Sequence, residues 1–270
     1  MTETFSLTLE QAHAYEDLFV PALFSQWVQP LLDCAGVAQG HRVLDVACGT
    51  GVVARAAWHT VGSSGRVSGL DLNPAMIEVA RQIQPGVHWR VGDAARLPYD
   101  DNTFDVALCQ SALFFFPDAE AAVREMARVA VPGGAVALQT YAGLEDQPGY
   151  GPFVDTVVQH VGPDARMLLN TYWSKGDLDE LQGLLAAAGL SVTTTRSILG
   201  AVTFPSVDAL VHTEIQATPL AQRIADTAYR AIGEEVRQVL APFTTTSGAL
   251  DLPIQARLIS ARKPTPDHHH

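Results

Sequence analysis

A chain of 270 residues with 47% hydrophobic composition can bury a full core, and its length fits one large domain with additions better than two independent ones. Seventeen basic residues against 29 acidic ones give a formal charge of -12 with no run of Lys or Arg, which disfavours nucleic acid and anionic membrane as partners. Cys34, Cys48 and Cys109 are widely spaced and form no C-x-x-C pair, so neither a disulfide framework nor a metal site is expected and a reducing cytoplasm fits best.

Met1 to Leu9 lacks a basic start followed by an apolar core, and no later apolar run reaches the length of a membrane span. From about Leu9 to Ala38 the residues Phe19, Leu23, Trp27, Leu31 and Leu32 recur at helical spacing, with interruptions at Pro21 and Pro30. Residues 1–40 are therefore read as an N-terminal helical cap. From His41 onward short apolar strands alternate with helices, the order of a parallel sheet covered on both faces. Strands are expected at His41–Ala47, Arg66–Asp71, Val87–Val91, Phe104–Cys109 and Ala135–Tyr141. Asn73-Pro74 starts a helix that runs to about Gln84, because Asn caps and Pro at the first helical position loses no bond. Pro117-Asp118 starts the next, carrying Val123, Met126 and Val129 inward, and Val131-Pro132-Gly133-Gly134 is expected to stop it ahead of the following strand. Asp177 with Glu180 is a capping-box pattern for a helix ending at Gly189.

Residues 41–141 thus form a core and 177–205 continue it, ending in a strand near Ser191 to Phe204. Residues 142–176, with Tyr150, Phe153, Tyr172 and Trp173, are read as a lid insertion. A second insertion at 206–248 is mainly helical, with Ala225, Ala228, Ile232, Val236 and Val239 on one face. The last strand lies within 249–263, at Pro253–Ala261, and 264–270 is a tail whose His268, His269 and His270 resemble the remnant of a purification tag.

The stretch Val43-Leu44-Asp45-Val46-Ala47-Cys48-Gly49-Thr50-Gly51 runs from a buried strand into a glycine turn, the place where α/β proteins bind cofactors. A dinucleotide site would space its glycines as G-x-G-x-x-G for a pyrophosphate, whereas here the third glycine is absent and Asp45 would repel phosphate. S-adenosylmethionine carries a sulfonium and an ammonium and no phosphate, which suits a glycine turn guarded by an acid. Asp71 ends the second strand about twenty residues on, where an acid accepts from ribose hydroxyls.

Val43 to Gly51 resembles motif I of the class I S-adenosylmethionine-dependent methyltransferases, particularly the small-molecule type related to ubiquinone and menaquinone biosynthesis. The likeness extends from Arg42 to Gln139, with further motifs in order. It implies a Rossmann-like, mostly parallel seven-stranded sheet with helices on both faces, an antiparallel last strand and helical lid insertions. It further implies that Ala47, Gly49 and Gly51 bring backbone to the methionine part of the cofactor, with Asp45 facing its ammonium. Leu72 and Met76 would cover adenine, with ordinary core filling the alternative for Met76. Gly92-Asp93-Ala94 matches the adenine-binding motif, against the alternative of a plain Gly-Asp turn. Gln110 follows the fourth strand where the reacting methyl group is presented, and would bind cofactor or substrate. The Asn/Asp-Pro-Pro-aromatic motif of DNA amino-methyltransferases is absent there, and Phe114 to Phe116 read as core more readily than as a substrate wall.

The resemblance implies methyl transfer to a small, largely apolar metabolite, leaving S-adenosylhomocysteine. Oxygen, nitrogen and carbon acceptors stay open, as do monomer and homodimer. Tyr15, Tyr172 and His212 are the candidates for a base or orienting group, each weighed against ordinary packing. His212-Thr213-Glu214 has the H-x-E spacing of a zinc deaminase, but no P-C-x-x-C follows. The alternatives are a protein that binds the cofactor with lost or repurposed chemistry, such as a regulatory module or a cyclisation enzyme, and a nicotinamide-dependent oxidoreductase.

Overall fold

The computed structural model describes residues 7–216 and 224–266. The readings placed on Met1 to Ser6, on 217–223 of the second insertion and on His268 to His270 lie outside the described residues. Seven strands form one sheet in the order β3-β2-β1-β4-β5-β7-β6. They are β1 (Arg42–Val46), β2 (Arg66–Asp71), β3 (His88–Val91), β4 (Phe104–Gln110), β5 (Ala130–Tyr141), β6 (Ser191–Phe204) and β7 (Leu250–Arg262). Parallel pairing joins β3, β2, β1, β4 and β5, with Val43 level with both Val67 and Val106. Strand β7 runs antiparallel: the Gly133 N–H donates to the Lys263 carbonyl at 2.8 Å and the Lys263 N–H to that of Gly134 at 2.9 Å. Chain order reverses between β1 and β4, the switch point where open α/β sheets leave a crevice beyond their strand ends.

The described residues divide into two compact units, one within 1–140, 178–197 and 257–270 and the other within 141–177 and 198–256. In the first, the helices are α1 (Leu9–Ala14), α2 (Val28–Ala35), α3 (Val52–Val61), α4 (Pro74–Ile83), α5 (Ala119–Val129) and, after the second unit's α6 (Tyr150–Val161) and α7 (Asp164–Leu169), α8 (Leu178–Ala187). The second unit also holds α9 (Val207–Gln216) and α10 (Asp226–Val239). Leu44 and Val46 of β1, Ala107 of β4, and Val136 and Leu138 of β5 form one core with Val123 and Met126 of α5 and Leu181 and Leu185 of α8. Alternation sends Val43, fully buried, to the opposite face, where α2 and α3 contact the central strands. Caps act where expected: Asn73 Oδ1 accepts from the Ala75 N–H at 2.8 Å, and Asp118 Oδ1 from that of Ala121 at 2.8 Å.

Two expectations need correction. Leu9 to Ala38 is not one amphipathic helix: α1 passes into a ten-residue π-helical segment, Tyr15–Phe24, then a 3-10 turn, Ser25–Trp27, and α2. Pro21 lies inside the π-helical segment and brings no N–H to a regular ladder, and the face turns with it, leaving Phe19 47% exposed while Trp27, Leu31 and Leu32 are buried. Nor is Val131 to Gly134 a connection. The helix stops at Val129, but β5 begins at Ala130, and Gly133, at φ 78°, bends the strand while it pairs with β7.

Trp89 of β3 packs under the central turn. A Cβ on Gly69 would stand 2.3 Å from Trp89 Cζ3, and one on Gly51 2.3 Å from its Cη2. The indole Nε1 donates to the Gln84 carbonyl at 2.7 Å, which fixes the ring. Gly69→Ala is expected to lower stability by about 1–3 kcal/mol in urea unfolding, as overpacking does. Combining it with Trp89→Leu should recover part of the loss, and simple additivity in that double-mutant cycle would show that the ring is not the obstacle.

Candidate functional site

Strand β1 ends in a turn with three left-handed residues, Ala47 at φ 55°, Gly49 at 53° and Gly51 at 88°. Glycine takes that conformation freely, whereas alanine costs about 1–2 kcal/mol. Three bonds hold the turn: Cys48 N–H to the Leu70 carbonyl at 3.0 Å, Gly51 N–H to that of Cys48 at 2.8 Å, and Gly49 N–H to Asp71 Oδ2 at 2.8 Å. Asp71 Oδ1 accepts from the Asn73 N–H at 2.9 Å, and burial holds its carboxyl above the ordinary carboxylate range. The Asp71 carbonyl accepts from the Gly92 N–H at 2.9 Å, so the end of β3 is joined to the same residue.

Asp45 is 1% exposed, and its Oδ2 accepts from the Ala54 N–H in the first turn of α3 at 2.9 Å. Burial pushes its carboxyl up to about 8; the Ala54 bond and Arg55 oppose that rise, and Asp71 adds to it. Cys48 beside it is buried, and desolvation with the charges of Asp45 and Asp71 drives its thiol far above the usual range. On β4, Gln110 is 8% exposed; its Nε2 donates to the Phe24 carbonyl at 3.1 Å, while its Oε1 is buried without a partner. Ser111 is left-handed at φ 52°, and its Oγ donates to Gln139 Oε1 at 2.5 Å.

The N-terminal segment closes one side. Glu16 accepts from Thr50 Oγ1 at 2.6 Å and from Arg55 Nη2 at 2.7 Å, and Tyr15 stacks on Phe24 at 5.3 Å. Between these elements lies a small recess of about 20 Å³, with Tyr15, Phe24, Asp45, Ala47, Cys48 and Gln110 in its lining. Among the described residues no basic side chain lines it.

Of the residues singled out in the sequence, Tyr15, Asp45, Ala47 and Gln110 meet in this recess, and Gly49, Asp71 and Gly92 are linked to it by backbone bonds. Leu72, 52% exposed, and Met76, packed with Ala12 and Val79, lie outside the lining. Asp93 is exposed beside the buried Ala94 and uses Oδ1 to accept from the Ala95 N–H at 2.9 Å. Tyr172 and His212 belong to the second unit, where Tyr172 is 41% exposed and His212 is exposed. Sequence reading names Glu214 only in the H-x-E spacing it sets aside; the structure has it accepting from Tyr150 Oη at 3.1 Å, with its carboxyl pushed up to about 7 by burial. A signal exists: Glu214 falls at helical spacing after the buried Val207, Leu210 and Val211. Glu16, Thr50 and Arg55 carry no comparable signal, since long-range pairing has no local periodicity.

The methyltransferase domain family matches residues 44–138. A ubiquinone/menaquinone biosynthesis C-methyltransferase of Edwardsiella ictaluri is 31% identical over 69% of this chain and 80% of its own length. Among solved structures, the YcgJ protein of Bacillus subtilis superposes with a TM-score of 0.61 at 22% identity, covering 88% of this chain and 98% of that one. Phosphoethanolamine N-methyltransferase 2 of Haemonchus contortus, solved with S-adenosyl-L-methionine, gives 0.57 at 19% identity over 96% and 58%.

Asp45 supplies a pH test. Its folded-state carboxyl holds a proton more tightly than the unfolded one, so its contribution to stability is full below about 4 and is lost as pH rises toward about 8. Urea unfolding across that window should show wild type losing stability relative to Asp45→Asn; parallel curves would place the titration elsewhere.

Proposed function

The chain belongs to the class I S-adenosylmethionine-dependent methyltransferases, and we propose that it methylates a small, largely apolar metabolite, at carbon. S-adenosylmethionine is the cofactor and S-adenosylhomocysteine the product. When bound, the cofactor supplies an activated methyl group on a sulfonium. The observation that carries the assignment of its place is the recess at the β1–β4 switch point, where a buried carboxyl and a partnerless amide oxygen stand together with no basic side chain in the lining. A cation entering this lining favours the ionised form of Asp45, and no basic side chain among the described residues lines it to receive phosphate.

Each remaining residue has a part in this reading. Asp71 receives the ribose hydroxyls on the acceptor capacity its carboxyl keeps beside the Gly49, Leu72 and Asn73 N–H groups. The Gly49 N–H is committed to Asp71, so Gly49 contributes space for the methionine part rather than a donor. Asp93 accepts from the adenine amine through its second oxygen. Exposed Leu72 covers the adenine face, a role that Met76, packed against Ala12, leaves to it. Tyr15 lines the recess with Asp45. Methyl transfer is an in-line displacement, and alignment alone lowers such a barrier by about 7–11 kcal/mol, so the site is built for holding the reactants in line. A relative named for carbon methylation in ubiquinone and menaquinone biosynthesis supports an apolar acceptor and a carbon nucleophile.

In thermal melting, S-adenosylhomocysteine at about a hundred times its Kd should add roughly 2.7 kcal/mol, and a nicotinamide dinucleotide nothing. Stabilisation by the dinucleotide alone would sink the reading. Asp71→Asn keeps one acceptor oxygen and is expected to weaken the cofactor in calorimetry about tenfold; unchanged affinity removes Asp71 from the site. Incubation with apolar hydroxylated aromatics should give a product one methyl heavier by mass spectrometry, its position on carbon read by NMR.

A further inference from the structure

Gln110 is the buried polar group that the fold leaves half used. Its amide nitrogen holds the Phe24 carbonyl at 3.1 Å, at the end of the π-helical segment. That bond fixes the orientation of the amide and turns Oε1 the other way, buried and without a partner. Leaving such an acceptor unpaired is costly in a folded protein unless a ligand completes it. The chemistry of that ligand follows from the neighbours. Asp45 stands level with Leu108 across the β1–β4 pair, and Gln110 lies two residues beyond Leu108, so alternation puts both side chains on one face of the sheet. Both line the same recess. An acid and an amide acceptor on one face make a seat for a group with several N–H donors and positive charge.

We propose that Gln110 is a two-ended link: its Oε1 receives the α-ammonium of the methionine part of the cofactor while its Nε2 holds the N-terminal segment through Phe24. This rests on the cofactor reading above and extends it to a selection rule and a coupling. Selection arises because a ligand lacking the amino group leaves Oε1 buried and unsatisfied. Coupling arises because the planar amide presents oxygen and nitrogen from one rigid group, so a ligand that fixes the oxygen also fixes the nitrogen against Phe24. Glu16, bonded to Thr50 and Arg55, anchors the same segment near its start, so the two contacts bracket Tyr15 to Phe24.

The test uses the full chain in titration calorimetry with S-adenosylhomocysteine and with its deaminated analogue, in which hydrogen replaces the α-amino group. Wild type is expected to bind the analogue at least tenfold more weakly, and Gln110→Leu to cut that ratio about tenfold by weakening only the amino-bearing ligand. Gln110→Glu keeps an acceptor and loses the donor. It should preserve the discrimination while hydrogen exchange of the Tyr15–Phe24 amides loses the protection that ligand confers on wild type. Equal weakening of both ligands by Gln110→Leu overturns the proposal, as does ligand-induced protection in Gln110→Glu equal to that of wild type. If wild type binds neither ligand, the cofactor reading falls and this link with it; tight S-adenosylhomocysteine binding without amino discrimination overturns the link alone.

Discussion

The Asp71 carboxylate is the constraint from which the site is built. One of its oxygens holds the Gly49 N–H, the other the Asn73 N–H, and its backbone carbonyl holds the Gly92 N–H. The turns that follow β1, β2 and β3 are therefore tied at one residue, and their mutual placement is decided before any ligand arrives. Preorganisation of this kind matters because methyl transfer gains chiefly from alignment, which a loose set of loops cannot supply. The cost is visible in the same groups: Asp45 and Asp71 are both held above the ordinary carboxylate range by burial, and their mutual repulsion adds to the rise in Asp45.

Trp89 complements that tie from below. Its ring fills the space that side chains on Gly51 and Gly69 would need. Gly51 thus answers two demands at once, the left-handed turn at φ 88° and the ring beneath it. A motif glycine whose spacing speaks of a cofactor is here also a packing glycine, and only coordinates separate the two roles. Ala47 and Ser111, both left-handed without being glycine, mark the ends of neighbouring strands β1 and β4, where strain gathers beside the recess.

Most of the sheet is legible in the chain because β1, β2 and β4 are buried strands with apolar runs, and the expected boundaries of β1 to β4 agree to within one residue. Helix starts at Asn73 and Asp118 are legible for an equally local reason, since a cap needs only neighbouring residues. The N-terminal segment is not, because apolar spacing does not distinguish an α-helix from a π-helical turn, and Pro21 is tolerated only where surrounding contacts hold it. The start of β5 is missed because Pro132, Gly133 and Gly134 spell a turn, while pairing with β7 more than a hundred residues later makes a bent strand of them. At the site, Asp45, Asp71 and Gln110 are visible as residue types at strand ends. What they bond to is not, since the Phe24 and Ala54 partners come from other elements.

Cys48 shows what it takes to build a wall around an alkylating agent. A sulfonium that hands a methyl group to an acceptor will hand it to any competent nucleophile within reach, and a thiolate is among the best. Cys48 lines the recess, yet burial and the two neighbouring carboxyls keep its sulfur protonated far beyond neutral pH. Burial first, and the carboxyls of Asp45 and Asp71 after it, thus hold the sulfur beside the β1 turn in its thiol form, the weaker nucleophile.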